Sequence, residues 1–260
     1  MEANSFCGLE KCSKDTMCYV SVSRLINANI SMQTLYPIWF DIDGTLLHTR
    51  AGHGAFRLAL FEVFGWEDDL STVVFAGNTD LRVLLDMVVK FGGCPHATRE
   101  KHGAFFEVMT RHLDAGLLAE KPAPVPGAAE LVAHLQKLPH VVCGLLTGNA
   151  RACAAAKLRH AGFPDLLQHG GFGDEHPDRD ILAVRALERL RQHHGDRPLS
   201  PGLVIGDTPR DVQAAKTIGA RCLGVSSGSY SREDLLEAGA DRVVQTLHPE
   251  TALLNWILSA

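Results

Sequence analysis

Two acidic residues, Asp41 and Asp43, directly follow the apolar run 38–40, and Gly44 comes next. A run that is apolar on both faces is typical of a buried parallel strand, and open α/β sheets bind ligands at the carboxyl ends of such strands. Side chains alternate along a strand, so both carboxylates start on the same side. Because they repel each other there, the pattern favours a hard divalent cation between them. The alternative is a strand that ends in a solvated, acidic turn.

A second polar group, Thr147, Gly148 and Asn149, follows the apolar run 141–146. A hydroxyl group and free backbone N–H groups at the start of a helix suit a phosphate oxygen. The same residues are as typical of an ordinary helix N-terminus, so both interpretations stay open.

A third polar group, Asp207 and Asp211, follows the apolar run 203–205. Pro209 suits the first turn of a helix, and Asp211 could stabilise the dipole of that helix. With the two carboxylates of the first strand nearby, we predict instead that both aspartates take part in binding a metal.

The elements that position these groups alternate from Gly127 onward between apolar, strand-like runs and helical periodicity. The predicted strands are 141–146, 203–205, 221–225 and 242–244, with a short one within 165–172. The predicted helices are 128–138, 150–161, 178–193, 212–218, 232–238 and 249–258. This alternation implies right-handed crossovers and a parallel sheet, that is, an α/β fold with a three-layer, Rossmann-like core.

The residues between the first strand and the proline-rich stretch 121–127 have helical periodicity alone. We expect a loop at 46–54, helices at 55–64, 79–91 and 102–118, and a stiff connector at the prolines. The predicted domains are an N-terminal extension at 1–36 (poorly ordered or a mis-assigned start), a core at 37–51 and 122–260, and an inserted α-helical cap at 52–121.

Composition places the 260-residue chain among ordinary globular proteins, with 46% hydrophobic and 21% charged residues. The net charge of −5 gives no reason to expect nucleic acid as a partner, and no apolar run is long enough to span a membrane. Cys7, Cys12 and Cys18 lack the close pairing of a zinc knuckle, and Cys143 and Cys222 are predicted to be buried thiols. We expect a cytoplasmic monomer or homodimer.

Taken together, these motifs resemble those of the haloacid dehalogenase-like (HAD) hydrolases, in the family's order, over about residues 37–245. The similar stretches are Asp41-Ile-Asp43-Gly-Thr-Leu for the first motif, Thr147 for the second, and Gly206-Asp207-x-x-x-Asp211 for the fourth. The helical insertion after the first motif is similar to the cap of the phosphoglycolate phosphatase branch.

The third motif departs from the family's pattern, which places a lysine at the start of the helix before the fourth motif. Residues 165–200 contain no lysine. Arg179 stands where that cation belongs, and a guanidinium group can bind phosphoryl oxygens through two nitrogens. We therefore expect Arg179 to replace the lysine. The alternatives are that Arg179 is an ordinary surface arginine on a helix, or that Arg210 or Arg185 takes this role.

The resemblance implies a Mg²⁺-dependent phosphatase that acts on a small phosphomonoester, such as phosphoglycolate or a sugar phosphate. Asp41 would attack phosphorus to form an aspartyl-phosphate, and Asp43 would act as general acid and base. The metal would bind Asp41, the backbone carbonyl of Asp43 and Asp207, with Asp211 in its outer shell. The phosphate would be bound by Thr147, Gly148, Asn149 and Arg179.

Two other functions remain compatible with the sequence. A phosphomutase of the β-phosphoglucomutase type shares the core and the cap. A non-catalytic binding protein would result if the change from lysine to arginine had abolished activity.

Substrate specificity is expected to come from polar residues near the predicted cap. Thr79 and Asp80 lie at the entry to a predicted helix, where Thr79 is favoured as a helix cap. His48, Arg50 and His53 lie in the loop after the first motif and are further candidates.

Overall fold

A parallel sheet forms the centre of the molecule in the computed structural model, which describes residues 33–166 and 168–259. In chain order the strands of the described residues are β1 (Tyr36–Phe40), β2 (Leu47–His48), β3 (Ala123–Pro124), β4 (Val141–Leu146), β5 (Gly170–Gly171), β6 (Leu203–Gly206), β7 (Arg221–Val225) and β8 (Arg242–Val244). Six of them form one sheet in the order β5-β4-β1-β6-β7-β8, and every neighbouring pair is parallel. The predicted parallel α/β fold is confirmed.

Helices flank this sheet and fill the insertion between β2 and β3. In the described residues they are α1 (Ala51–Phe64), α2 (Asp80–Lys90), α3 (Pro95–Thr98), α4 (His102–Ala119), α5 (Ala128–Leu135), α6 (Arg151–Ala161), α7 (Arg179–His194), α8 (Pro209–Thr217), α9 (Arg232–Ala238) and α10 (Thr251–Leu258). A short 3₁₀ turn joins α3 to α4.

Side chains alternate along each strand, so every strand contributes to both faces of the sheet. Both faces are apolar. Ile38 and Phe40 of β1 pack with residues of α5 and α10 on one face. Trp39 points the other way and packs with residues of α7 and α8. Burial on both faces explains why β1 is a continuous apolar run, and it produces the three layers expected from the sequence.

Helices α1, α2 and α4 supply most of a second apolar cluster. Phe56, Leu84 and Phe105 are buried in it, and the rings of Phe56 and Phe105 meet edge to face with centroids 5.0 Å apart. Ala150 and Cys153, at the start of α6, belong to the same cluster. The helical insertion is therefore packed against the core through α6.

The sequence did not predict the pairing of β2 with β3. Leu47 pairs with Pro124 and His48 with Ala123 in an antiparallel ribbon, where a loop and a connector were expected. A strand of two residues shows no periodicity, and proline is tolerated at a sheet edge. The expected loop at 46–54 is also wrong at its end, since α1 already begins at Ala51.

Most of the predicted N-terminal extension, together with Cys7, Cys12 and Cys18, lies outside the described residues. Cys222 is buried and Cys143 is half-buried, and both are free thiols. Within the described residues, no helix has the length and apolar character that crossing a membrane requires.

Candidate active site

The carboxyl ends of β1, β4 and β6 lie side by side, because Phe40 pairs with Leu145 on one side and with Ile205 on the other. The polar residues that follow these strands therefore meet in a cleft with a volume of about 530 Å³. The predicted residues that line the cleft are Asp41, Asp43, His48, Arg50, His53, Asp80, Gly148, Asn149, Arg179 and Asp207. Thr79, Thr147 and Asp211 are buried behind this lining.

Three carboxylates form an acidic centre at the floor of the cleft. Oxygens of Asp41, Asp207 and Asp211 lie within 4.8 Å of one another. Burial raises the pKa of Asp41 to about 6, against the opposing effect of Arg179. Burial, followed by the charges of Asp41 and Asp211, raises the pKa of Asp207 to about 9. Asp41 and Asp207 can be ionised together at neutral pH only if further positive charge is supplied.

The acidic centre fits a divalent cation in its donor atoms and its shape. Oδ1 of Asp207 is buried and has no hydrogen-bond partner. A Cβ atom on Gly44, whose φ is +75°, would lie 2.2 Å from Oδ2 of Asp207, so only glycine allows this approach of the loop after β1. A carboxylate oxygen without a hydrogen-bond partner, such as Oδ1 of Asp207, is a suitable ligand for Mg²⁺.

Both carboxylate oxygens of Asp211 have partners within the protein. Its Oδ2 accepts hydrogen bonds from the backbone N–H and the hydroxyl of Thr208, at 3.0 and 2.7 Å. Its Oδ1 pairs with Arg179. Asp211 thus holds Arg179 and the residues at the start of α8, and its place in the outer shell of a metal stays a prediction.

Arg179, the first residue of α7, reaches the acidic centre from the side. Its Nη2 lies 3.1 Å from Oδ1 of Asp41, pairs with Asp211, and donates to the carbonyl of Leu146 at 2.8 Å. Burial would lower the pKa of Arg179, but Asp211 and Asp41 raise it further, so the group stays charged. The structure thus places the guanidinium beside the predicted nucleophile.

The two alternative arginines do not line the cleft. Arg185 donates to the carbonyl of Glu175, at 3.3 Å. The side chain of Arg210 packs against the backbone of Gly77, in the helical insertion.

Arg179→Ala is expected to lower kcat by about 10²- to 10³-fold, the usual effect of losing one stabilising donor. It also leaves the carboxylates of Asp41 and Asp211 unpaired, which should destabilise the fold by about 3–5 kcal/mol. Steady-state kinetics and thermal unfolding measure the two effects. Arg179→Lys keeps the charge and should recover most of both, and Arg185→Ala is the matched control. Wild-type kinetics in Arg179→Ala would assign the cation's role to another residue.

A second buried cation, Lys157, was not predicted. Its Nζ lies 2.6 and 2.8 Å from the two carboxylate oxygens of Asp43 and 2.6 Å from Oδ1 of Asn149. Burial opposes the charge, but Asp43 and Asp80 more than compensate and raise the pKa of Lys157. Lys157 lies in α6, before the segment in which the family's pattern places a cation. A feature of the sequence that could have indicated Lys157 is its spacing, since it comes eight residues, about two helical turns, after Asn149.

The turn at 147–149 is held by side-chain hydrogen bonds. Oγ1 of Thr147 accepts from the backbone N–H and the side-chain amide of Asn149, at 3.3 and 2.9 Å. The same amide donates to Asp43 at 2.8 Å. The side chain of Asn149, predicted to bind phosphate, is thus engaged in positioning Asp43.

The N-terminus of α2 docks the helical insertion onto this turn. The backbone N–H of Asp80 donates to the carbonyl of Gly148, and Oδ2 of Asp80 accepts from the N–H of Ala150, both at 2.7 Å. Thr79 caps α2, as predicted, by accepting from the N–H of Arg82 at 3.1 Å. A Cβ atom on Gly148 would lie 2.1 Å from the carbonyl oxygen of Asn78, so this contact requires glycine.

Asp80→Asn is expected to change how stability depends on pH. Burial raises the pKa of Asp80 to about 6, from 3.8. A raised pKa means that protonated Asp80 contributes to the free energy of unfolding, here about 3 kcal/mol. This contribution is fully present below pH 3.8 and is lost as the pH rises through 6. Asparagine can still accept from Ala150, so the variant should gain stability relative to the wild type as the pH rises from 4 to 8.

Thermal unfolding of both proteins across this pH range is the measurement. Other titrating groups contribute equally to both and cancel in the difference. Asp86→Asn, on the exposed side of α2, is the matched control. A flat difference for Asp80→Asn would mean that Asp80 is not desolvated in solution.

The mouth of the cleft carries further cationic and aromatic groups. His48, Arg50, His53 and Lys121 line it. The ring of His53 stacks on that of Phe75, with centroids 4.3 Å apart and planes at 30°. The cleft thus offers positive charge at its mouth and acidic groups at its floor.

The fold and the site together define a class of enzymes: three-layer α/β proteins with an acidic centre at the carboxyl edge of the sheet and a helical insertion after the first strand. The chain belongs to the haloacid dehalogenase-like hydrolases, whose family model matches residues 38–216. The family resemblance found in the sequence is confirmed.

Two relatives carry phosphatase names. The chain is 31% identical over 122 residues to a phosphoglycolate phosphatase from Synechococcus elongatus, a match that covers 46% of this chain and 54% of the relative. It thus spans about half the length of that relative. It is 27% identical over 208 residues to validoxylamine A 7'-phosphate phosphatase from Streptomyces hygroscopicus subsp. limoneus, which covers 76% of this chain and 89% of the relative.

Solved structures show the same fold. A hydrolase from Pseudomonas syringae has a TM-score of 0.63 and 25% identity, and the match covers 86% of this chain and 99% of that one. CbbY from Rhodobacter sphaeroides, in complex with phosphate, has a TM-score of 0.61 and 22% identity, with 83% and 96% covered.

Proposed function

We propose that this protein is a Mg²⁺-dependent phosphatase that hydrolyses a small phosphomonoester through an aspartyl-phosphate. One observation carries the proposal. The buried carboxylate of Asp41 lies beside the Arg179 guanidinium at the floor of the cleft, and the second carboxylate, Asp43, is held separately by Lys157 and Asn149. Two carboxylates with different partners suit two different roles. The phosphatase names of both relatives support this reaction class.

In the first half-reaction, an oxygen of Asp41 attacks phosphorus and the bond to the leaving oxygen breaks. Asp43 donates a proton to that oxygen, so the product leaves as an alcohol. Arg179 stabilises the negative charge on the transferring phosphoryl group. In the second half-reaction, Asp43 takes a proton from water, which attacks the aspartyl-phosphate and releases inorganic phosphate.

Asp41 and Asp207, with the backbone carbonyl of Asp43, would hold the Mg²⁺ ion. When bound, it neutralises the repulsion between the anionic nucleophile and the anionic substrate. Asp211 fixes the orientation of Arg179 and of the loop after β6 through its own hydrogen bonds.

The proposed substrate is a small metabolite with a phosphate group and further polar groups, such as phosphoglycolate or a sugar phosphate. Its phosphate would bind beside Arg179 and the backbone of Gly148. The remainder would face His48, Arg50 and His53 at the mouth of the cleft. The proposed cap, residues 52–121, would close over it and exclude water. The free thiols of the described cysteines support a cytoplasmic setting.

A panel of phosphomonoesters, assayed for phosphate release with Mg²⁺ and with excess chelator, tests the proposal. We expect turnover of one or a few small substrates, and its loss on removing the metal. Isomerisation of a sugar phosphate without release of phosphate would indicate a phosphomutase. Binding without turnover of any substrate would indicate a non-catalytic protein.

A further inference from the structure

Three histidines meet at the edge of the sheet, far from the cleft. His169 directly precedes the edge strand β5, and His193 and His194 end α7. The ring centroids lie between 4.8 and 5.8 Å apart. Arg179 begins the same 16-residue helix, which is about 24 Å long. The histidines are therefore separate from the acidic centre.

The three rings have unused capacity to bind a ligand. Among the described residues, none of their nitrogens makes a hydrogen bond, and Nε2 of His194 is shielded from solvent without a partner. A buried polar atom without a partner is unfavourable unless a ligand or water satisfies it. No carboxylate belongs to the cluster.

We infer that His169, His193 and His194 form a second metal site, which binds a borderline transition-metal cation such as Zn²⁺. One nitrogen of each ring lies within 4.8 Å of the others. Ligand nitrogens around tetrahedral Zn²⁺, at about 2.0–2.1 Å from the metal, are roughly 3.4 Å apart. Rotations of the exposed His193 and of the half-buried His169 and His194 would bring the nitrogens to that spacing. The exposed side of the cluster leaves a fourth position for water.

The chemistry of the donors separates this site from the acidic centre. Imidazole nitrogens suit Zn²⁺, Cu²⁺ and Ni²⁺, whereas Mg²⁺ prefers oxygen ligands. A bound cation would join the edge strand to the end of α7 and stabilise the folded chain in proportion to its occupancy. This inference does not depend on the proposed phosphatase activity.

Zn²⁺ is the probe in the first experiment. The full-length protein, stripped of metals and then kept in millimolar Mg²⁺ to occupy the acidic centre, is titrated with Zn²⁺ in a calorimeter. We expect the wild type to bind one Zn²⁺. In His193→Gln the affinity for Zn²⁺ should fall at least about tenfold, because losing a residue that only supports a metal ligand already has an effect of that size. His134→Gln, an exposed histidine on α5, is the control and should bind like the wild type.

Ring-nitrogen NMR gives a second readout that enzyme activity does not affect. Addition of Zn²⁺ should move the ¹⁵N resonances of His169, His193 and His194 together, and in His193→Gln the remaining shifts of His169 and His194 should need at least about tenfold more Zn²⁺. The mutated side chains are partly exposed, so the variants are expected to fold. Equal Zn²⁺ affinity in wild type and His193→Gln, or unmoved resonances of these three rings, would overturn the inference.

Discussion

Asp41→Asn is expected to abolish phosphate release, with a fall in kcat on the order of 10⁴-fold or more, as for other nucleophile replacements. An amide has no anionic oxygen to attack phosphorus. The fold should not suffer, because the neutral side chain also removes the repulsion between Asp41 and Asp207. Arg179 keeps Asp211 and the Leu146 carbonyl as partners. The variant should therefore bind substrate and be at least as stable as the wild type.

The measurement combines kinetics with trapping of the intermediate. Acid quenching of the wild type during turnover should yield a phosphoryl group on the peptide that contains Asp41, and Asp41→Asn should yield none. Thermal unfolding excludes misfolding as the cause. Asp196→Asn, at an exposed site, is the matched control. A label on another residue, or turnover by Asp41→Asn near the wild-type rate, would rule out Asp41 as the nucleophile.

Lys157→Met is expected to impair the proton transfers assigned to Asp43. Without the ammonium group, the Asp43 carboxylate loses the contacts at 2.6 and 2.8 Å that fix its direction. General acid–base catalysis contributes about 10²- to 10⁴-fold, so we expect a loss in that range for an alkyl phosphate. Methionine fills the space of the lysine stem. The Asp43 side chain is 45% exposed and can be solvated, so stability should change little.

The choice of leaving group tests this role directly. Nitrophenolate needs no protonation to leave, so phosphorylation of Asp41 by p-nitrophenyl phosphate should be affected far less than by an alkyl phosphate. Single-turnover kinetics isolate that step from the later hydrolysis. Asp43→Asn should show the same pattern, and the double variant should lose little more, since the two residues act as one unit. Lys137→Met, an exposed lysine, serves as the control.

An equal loss with both leaving groups would contradict the positioning role. Lys157 would then act on phosphate binding, and KM would rise for both substrates. Additive losses in the double variant would also show that Lys157 and Asp43 act separately.

The parts of the fold that follow from local periodicity could be predicted from the sequence. β1 is apolar on both faces because helices cover both sides of the sheet, and its apolar run shows this directly. β2 and β3 could not be predicted, because two-residue strands exist only through their pairing with each other. The start of α1 could not be predicted either. Gly52 and Gly54 lower the local helix propensity, but packing of the helix overrides that preference in the structure.

In the candidate site, too, some features could be predicted from the sequence and others could not. The positions of Asp41, Asp43 and Asp207 could be predicted because they come one to three residues after an apolar strand, and parallel strands end at one edge. Lys157 lies inside a helix, and its contact with Asp43 spans 114 residues of sequence. The bond between Asp80 and Ala150 spans 70 residues and depends on how the insertion docks. Neither contact leaves a local pattern in the sequence.

The hydrogen bonds between Asp80 and the turn at 148–150 have a thermodynamic consequence. The backbone that would hold phosphate is the same backbone that holds the helical insertion. If an anion in the cleft favours one arrangement of that turn, it changes the equilibrium between docked and undocked insertion. By linkage, docking must change the affinity for the anion by the same factor. Release of inorganic phosphate and opening of the insertion would then share one coupling free energy, and a substitution at Asp80 would alter both.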